Sequence, residues 1–274
     1  MQQSYEIITV DNIRYLRIPE LYNQGLNHLF TSIDMNMKVT DSKEDRQVEK
    51  NLTKIYEVMD ILPEQYYFMD QKHTDWVSIV DEVELGRKYN FGHRAVGVDG
   101  LITSQHNFVL SSSEADCVPV LLYDPVKKVQ ANLHSGWKGT LAKISQMAIK
   151  NFQLAYQVDP ANLIVGIGPH IARESYEIQY DVADLFYGAF YNYDEIIFKD
   201  DSDRITLDLE KAIVTSLLDV GVLSENIYTV GLDTFTEKDL LRSFRRDKAE
   251  AGSMATISTM MQAGEYFVPD EEEA

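Results

Sequence analysis

One thiol and six imidazoles are the groups here best suited to hold a metal or attack a substrate, and two of them are paired by their spacing. In "EADCVPVLLYDPVKKVQANLHSGWKG", Cys117 opens one apolar run and His134 closes the next. If "CVPVLLYD" and "VQANLHSG" are strands joined by "PVKK", with Asp124 opposite Val129, then Cys117 faces Gly136 and His134 faces Pro119. The two become diagonal neighbours, and side-chain alternation puts both on one face. Diagonal Cβ atoms lie roughly 7–8 Å apart or less, a span that a thiolate and an imidazole can close around one ion. Zinc, at ~2.3 Å from sulfur and ~2.0–2.1 Å from nitrogen, would bring the donor atoms within about 4 Å of each other. The same face suits a metal-free nucleophile, with the Cys117 thiolate activated by His134. The plainer alternative is a small buried cysteine and a strand-end histidine that is only hydrogen-bonded. Spacing leaves these readings open.

A catalytic zinc takes three protein ligands and keeps one position open. His73 is the best third candidate, because "DQKHTDW" interrupts two apolar runs where a binding loop belongs. His170, ending the buried run "GIGPHI", is next; His28, His93 and His106 read as ordinary surface or turn residues. Asp116 and Glu114, beside the cysteine, could orient the site or carry a proton, or simply be polar residues where the strand begins.

The elements that position these groups follow from periodicity. "YEIITVDNIRYLRI" reads as two strands about a turn at Asp11-Asn12, and "SKEDRQVEKNLTKIYEVMDIL" as a helix burying Val48, Leu52, Ile55 and Met59. After "NLHSGWKGT" the period becomes helical through Leu141, Ile144, Ala148, Phe152 and Ala155, a helix of roughly 16 residues. Asp181 and Asp208 are expected to cap two further helices, the second stopped by Gly221. Strands and helices mix without strict alternation, so the expected class is α+β with large mixed or antiparallel sheets in a single domain, residues 1–274. Residues 269–274 form an acidic tail expected to be solvated.

The formal net charge of −19 argues against nucleic acid and anionic membranes as partners. No run approaches a membrane span, and the first 20 residues lack the basic and apolar regions of a signal peptide. A single cysteine makes no internal disulfide, so a cytoplasmic location with a reduced thiol is expected. Oligomeric state stays open.

The segments "DQKH", "VDGLITS", "EADCVPVLLYDP", "NLHSGWKGT", "IGPHI", "SYEI" and "SFRRD" occur in an order and spacing that resemble the laccase-domain family. That family is variously described as multicopper polyphenol oxidase, peptidoglycan editing factor and purine nucleoside phosphorylase. The resemblance runs from about Gly25 to Ile257. It implies a four-layer sandwich, two packed mixed β-sheets flanked by helices, with metal ligands at His73, Cys117 and His134. It also implies zinc-dependent phosphorolysis of adenosine, inosine and methylthioadenosine, with adenosine deamination beside it, so the partners would be a nucleoside and phosphate. Zn2+ is the expected ion, with Cu2+ as the substitute. The chain departs from the family pattern at Lys72 and Thr74 around the first ligand, at Ser175 and Asp233 where cysteines are usual, and at Leu52 where an arginine is usual.

Phosphorolysis requires an anion site beside the ribose. Arg245 and Arg246 are the candidates, since guanidinium grips phosphate oxygens with a planar fork; the alternative is a solvated basic turn. Trp137 could stack on a base or fill core. Three other functions stand beside the phosphorylase. One is a Cys-His hydrolase or deamidase, including one that edits peptidoglycan precursors. A second is a binding module with structural zinc. A third is a copper polyphenol oxidase, disfavoured because one cysteine and six histidines are too few for a His2Cys centre plus a multicopper cluster.

Overall fold

The computed structural model describes residues 1–39, 44–61, 65–81 and 87–261. Two large mixed sheets carry it. The first has seven strands in the order Gln2–Gln3, Ile227–Thr229, Ile164–Ile167, Val118–Asp124, Val129–Ser135, Gly100–Thr103 and Val77–Ile79. The second has eight, in the order Glu6–Val10, Ile13–Arg17, Leu26–Thr31, Met254–Met260, Phe108–Glu114, Gln65–Asp70, Gly92–Val96 and Arg87–Tyr89. A small three-stranded sheet, Glu177–Ile178, Ile205–Leu207 and Ile197–Lys199, stands apart.

Alternation along the central hairpin builds the layers. Val118, Val120, Leu122, Val129, Ala131 and Leu133 pack in a cluster with Phe152, Phe186 and Ile213 of the helices Ile144–Tyr156, Tyr180–Ala189 and Leu209–Leu218. The opposite face of the hairpin meets the eight-stranded sheet, where Leu121 and Tyr123 pack with Leu16, Leu26 and Phe30. Polar side chains pin the two sheets together: the Asn132 amide donates to the Thr256 and Leu110 carbonyls at 2.9 and 3.2 Å. Outside the second sheet, helix Arg46–Met59 lays Val48, Leu52, Ile55 and Met59 against Tyr66 and Phe68. Helix, sheet, sheet, helix is the α+β arrangement expected.

The hairpin register is the one read from sequence, with Asp124 opposite Val129 and Pro119 opposite His134. Asp124 fixes the turn, accepting from the amides of Val126 and Lys127 at 2.7 and 3.0 Å. Asp11 and Asn12 turn the first hairpin with positive φ at both positions, 50° and 63°, as its tight loop demands.

Three expectations need correction. The helix after "NLHSGWKGT" is two, Trp137–Leu141 and Ile144–Tyr156, because Lys143 takes a left-handed conformation at φ +60°. The apolar period runs through that break, so periodicity does not reveal it. Asp181 is not a cap: Gln179 holds that position without a side-chain bond, and Asp181 lies in the first turn, accepting from the Val182 amide. Asp208 does cap its helix, accepting from the Lys211 amide at 2.8 Å. His28 and His93 are not surface residues; both are buried, His28 completely. Positions 42–43 and 62 of the predicted long helix, and the acidic tail, lie outside the described residues.

Candidate metal centre and active site

A buried carboxylate assembles the site. Asp99 accepts hydrogen bonds from the backbone amides of Lys72, His73 and Thr74 at 3.1, 3.0 and 2.7 Å, and from the Thr74 hydroxyl at 2.8 Å. These bonds hold His73 at φ +59°, a left-handed conformation uncommon for a residue with a side chain. Gln71 anchors the loop from the other side. Its side-chain amide accepts from the Ser113 N–H at 2.9 Å and donates to the Ser113 carbonyl at 2.8 Å. Asp99 also receives Nδ1–H of His134 at 2.9 Å, which in the neutral ring leaves the Nε2 lone pair facing outward as the ligand atom.

His73, Cys117 and His134 thereby converge, with their ligand atoms all within 4.8 Å of one another. Cys117 Sγ lies 3.8 Å from His73 Nε2, and the two imidazoles stand edge to face with centroids 4.9 Å apart. Two imidazole nitrogens and one sulfur at this spacing suit a tetrahedral ion with a fourth position left over. Gly136, opposite Cys117, leaves the room: a Cβ there would lie 2.7 Å from His73 Cδ2 and 3.0 Å from Cys117 Sγ. Burial works against ionising the Cys117 thiol, but His134 and His73 overcome it and bring the thiol down to about 6. Burial likewise opposes protonation of His134, yet the Cys117 thiolate and Asp99 raise it to about 10. Burial would raise Asp99 too, but His134 and the Thr74 hydrogen bonds bring it to about 2. Each group thus favours the charged form of the other, and a divalent cation binding there would displace any proton held between them. The donor set fits zinc, and copper as well.

The centre opens on a cavity of about 730 Å³. Trp137, Tyr176, Phe244 and Arg245 line it together with Tyr66 and Phe68. Asp116 reaches it with both oxygens engaged, one accepting from the Thr234 hydroxyl and the other from the Arg245 amide, each at 2.6 Å. Asp116 thus fixes the backbone that carries Arg245. Glu114 is buried behind Ser112, whose hydroxyl donates to it while the Thr256 hydroxyl donates to its other oxygen at 3.2 Å. Burial pushes Glu114 up to about 7, against the pull of those hydroxyls and His134.

The two neighbouring arginines part company. The Arg245 guanidinium lies over the Tyr176 ring at 5.1 Å and donates to the Glu177 carbonyl at 2.9 Å. Arg246 has all its donors engaged, by the carbonyls of Thr234, Phe235 and Leu241 and the carboxylate of Asp247. It ties down the turn and does not line the cavity. His170 is elsewhere, in a separate cavity of about 320 Å³. Its Nδ1 donates to the Gly168 carbonyl, and Nε2 lies 3.6 Å from Glu210.

Asp99 and Gln71 are the residues that sequence reasoning missed, although both lie inside the quoted segments "VDGLITS" and "DQKH". Two of the departures from the family pattern touch: the Ser175 hydroxyl donates to Asp233 at 2.6 Å. Another departure, Leu52, sits in the apolar cluster under the helix.

A two-sheet α+β sandwich with a His2Cys cluster at one end of its central hairpin describes a class of protein with a candidate metal site. The chain belongs to the family described as multi-copper polyphenol oxidoreductase laccase, which it matches over residues 23–261. Among its relatives is the purine nucleoside phosphorylase YlmD of Bacillus subtilis, 31% identical over 235 residues, covering 85% of this chain and 84% of that one. Another is the purine nucleoside phosphorylase CA_C1699 of Clostridium acetobutylicum, 34% identical over 189 residues, covering 68% and 73%. The solved structure of YlmD from Geobacillus stearothermophilus superposes with a TM-score of 0.81 at 22% identity, over 93% of this chain and 99% of that one, and so shares the fold. No helix among the described residues is long and apolar enough to cross a membrane.

Proposed function

We propose that this chain is a metal-dependent purine nucleoside phosphorylase, acting on adenosine, inosine or methylthioadenosine, with zinc at His73, Cys117 and His134 and adenosine deamination as a side activity. One observation carries the reading: the three converging donors open on a cavity lined by aromatic residues and by Arg245. That two relatives bear the name purine nucleoside phosphorylase supports it.

In phosphorolysis a phosphate oxygen bonds to C1′ of the ribose, the C1′–N9 bond breaks, and the purine leaves with a proton. Arg245 is placed to hold the phosphate, and Trp137, Tyr176 and Phe244 offer faces for the base. The Ser112 hydroxyl lines the cavity with Glu114 behind it, which makes that pair the candidate source of the purine's proton. Asp99 orients His134, and Asp116 holds the turn that carries Arg245. A bound zinc ion would supply Lewis acidity at this end of the cavity.

The test is adenine release from adenosine by zinc-loaded protein, with and without phosphate, followed by chromatography. Adenine and ribose 1-phosphate formed only with phosphate is the expected result. Inosine without adenine would leave only the deaminase, and neither product would overturn the reading. The Cys117–His134 pair favours a second reading, a Cys-His hydrolase or deamidase, because a thiol brought to about 6 is a nucleophile at neutral pH. Rapid alkylation of Cys117 in protein as purified, with no chelator added, would favour it. A polyphenol oxidase fits poorly. His28 bonds to the Ile18 amide and the Leu26 carbonyl, His106 bonds to the Met261 carbonyl, and His93 stacks on Tyr67. None joins a second ligand cluster among the described residues.

A further inference from the structure

Lys248 has φ +55° and ψ −129°, a conformation that glycine adopts freely and that strains a residue with a Cβ. It ends the single turn Phe244–Asp247 and begins the next, Lys248–Glu250. Among the described residues its ammonium has no hydrogen-bond or ion-pair partner, although the chain carries 44 carboxylates against 25 lysines and arginines. The side chain is exposed and leaves the backbone where it lines the metal cavity. Beside the metal cavity lies a second one of about 400 Å³, and the two share four lining residues: Trp137, Tyr176, Arg245 and Lys248. Arg245 reaches the same junction with one nitrogen on the Glu177 carbonyl and the rest of its guanidinium without an acceptor among the described residues. The Glu177 carboxylate, which also lines the second cavity, is taken by Arg204 at 3.3 Å.

We propose that Lys248 and Arg245 form a phosphate-binding rim where the two cavities meet, with the anchored Arg245 placing the phosphate and Lys248 adding a second charge. Two cations without ion-pair partners, three residues apart on consecutive turns, match a dianion, and a flexible ammonium complements a planar guanidinium. The phosphate is either the free ion consumed in phosphorolysis or an ester carried on the nucleoside. This deepens the reading of the cavity as a phosphorolysis site and rests on it for the choice of probes.

Lys248→Gly separates charge from strain, since it removes the ammonium and relieves the backbone. The variant should melt no lower than the parent, yet lose about tenfold in phosphate affinity, the size of one charge-assisted contact. Calorimetry of the zinc-loaded protein with inorganic phosphate, and separately with adenosine 5′-monophosphate, reads this without turnover. Weaker inorganic phosphate, with a higher KM for it, identifies the free ion. Weaker 5′-monophosphate with inorganic phosphate unchanged identifies the ester. Unchanged affinity for both, or a parent protein that binds neither, overturns the rim. If adenosine is cleaved but Lys248→Gly changes neither affinity, the rim fails while the phosphorylase stands. If phosphate binding falls in the variant but the parent cleaves no nucleoside, the reverse holds.

Discussion

His134 and His28 are both buried, strand-borne histidines, and their surroundings drive them in opposite directions. His28 sits between two backbone groups, Nδ1 donating to the Leu26 carbonyl and Nε2 accepting from the Ile18 amide, and burial pushes it down to about 4. His134 is as deeply buried but has the Cys117 thiolate on one side and Asp99 on the other, and it rises to about 10. Burial alone makes a neutral structural imidazole. A carboxylate behind the ring and a sulfur in front of it make a ligand or a base.

The sharpest way to break the contrast is to remove the sulfur. Cys117→Ala should abolish stoichiometric zinc, measured by atomic absorption, and lower phosphorolysis by more than about 100-fold, beyond the usual effect of a change behind a ligand. Full activity in this variant would remove the ligand assignment. Asp99→Asn should act next most strongly, because it takes the charge from behind His134 and one of the two acceptor oxygens that serve the His73 loop and that ring. Zinc affinity by chelator competition should fall about 10- to 100-fold. The smallest effect belongs to His28. Its folded value lies below the ordinary 6.5, so the unfolded chain binds the extra proton. The stability that His28 contributes is therefore present above pH 6.5 and lost as pH falls toward about 4. Across that window the loss should approach about 3 kcal/mol, and His28→Gln should flatten the slope of urea-unfolding free energy against pH. An equal slope in the variant would move the titration to another group.

How much of the molecule is legible in its sequence depends on distance along the chain. The hairpin register is open to a reading from sequence because its turn is local and both strands alternate cleanly; once Asp124 is set opposite Val129, as it is in the structure, Cys117 and His134 become diagonal neighbours. Asp99 cannot be found that way, since it binds residues 25 to 27 positions earlier and a histidine 35 later. Arg245 and Arg246 look alike in sequence, and only the neighbouring Thr234 and Leu241 carbonyls, brought in by tertiary structure, tell them apart. His28 reads as a surface residue because a polar side chain in a mixed segment says nothing about the sheet that covers it. The break at Lys143 is a backbone event on which side-chain periodicity is silent.

The spacing of the three ligands also sets an order of assembly. Cys117 and His134 meet as soon as one local hairpin zips, whereas His73 must come from 44 residues upstream and needs Asp99 to hold its loop. A nascent chain should therefore offer a cation a two-toothed claw before it offers a complete socket. Closing the socket waits on the slower, long-range pairing of the sheets. An ion caught early would tether the hairpin to the loop and shorten that search.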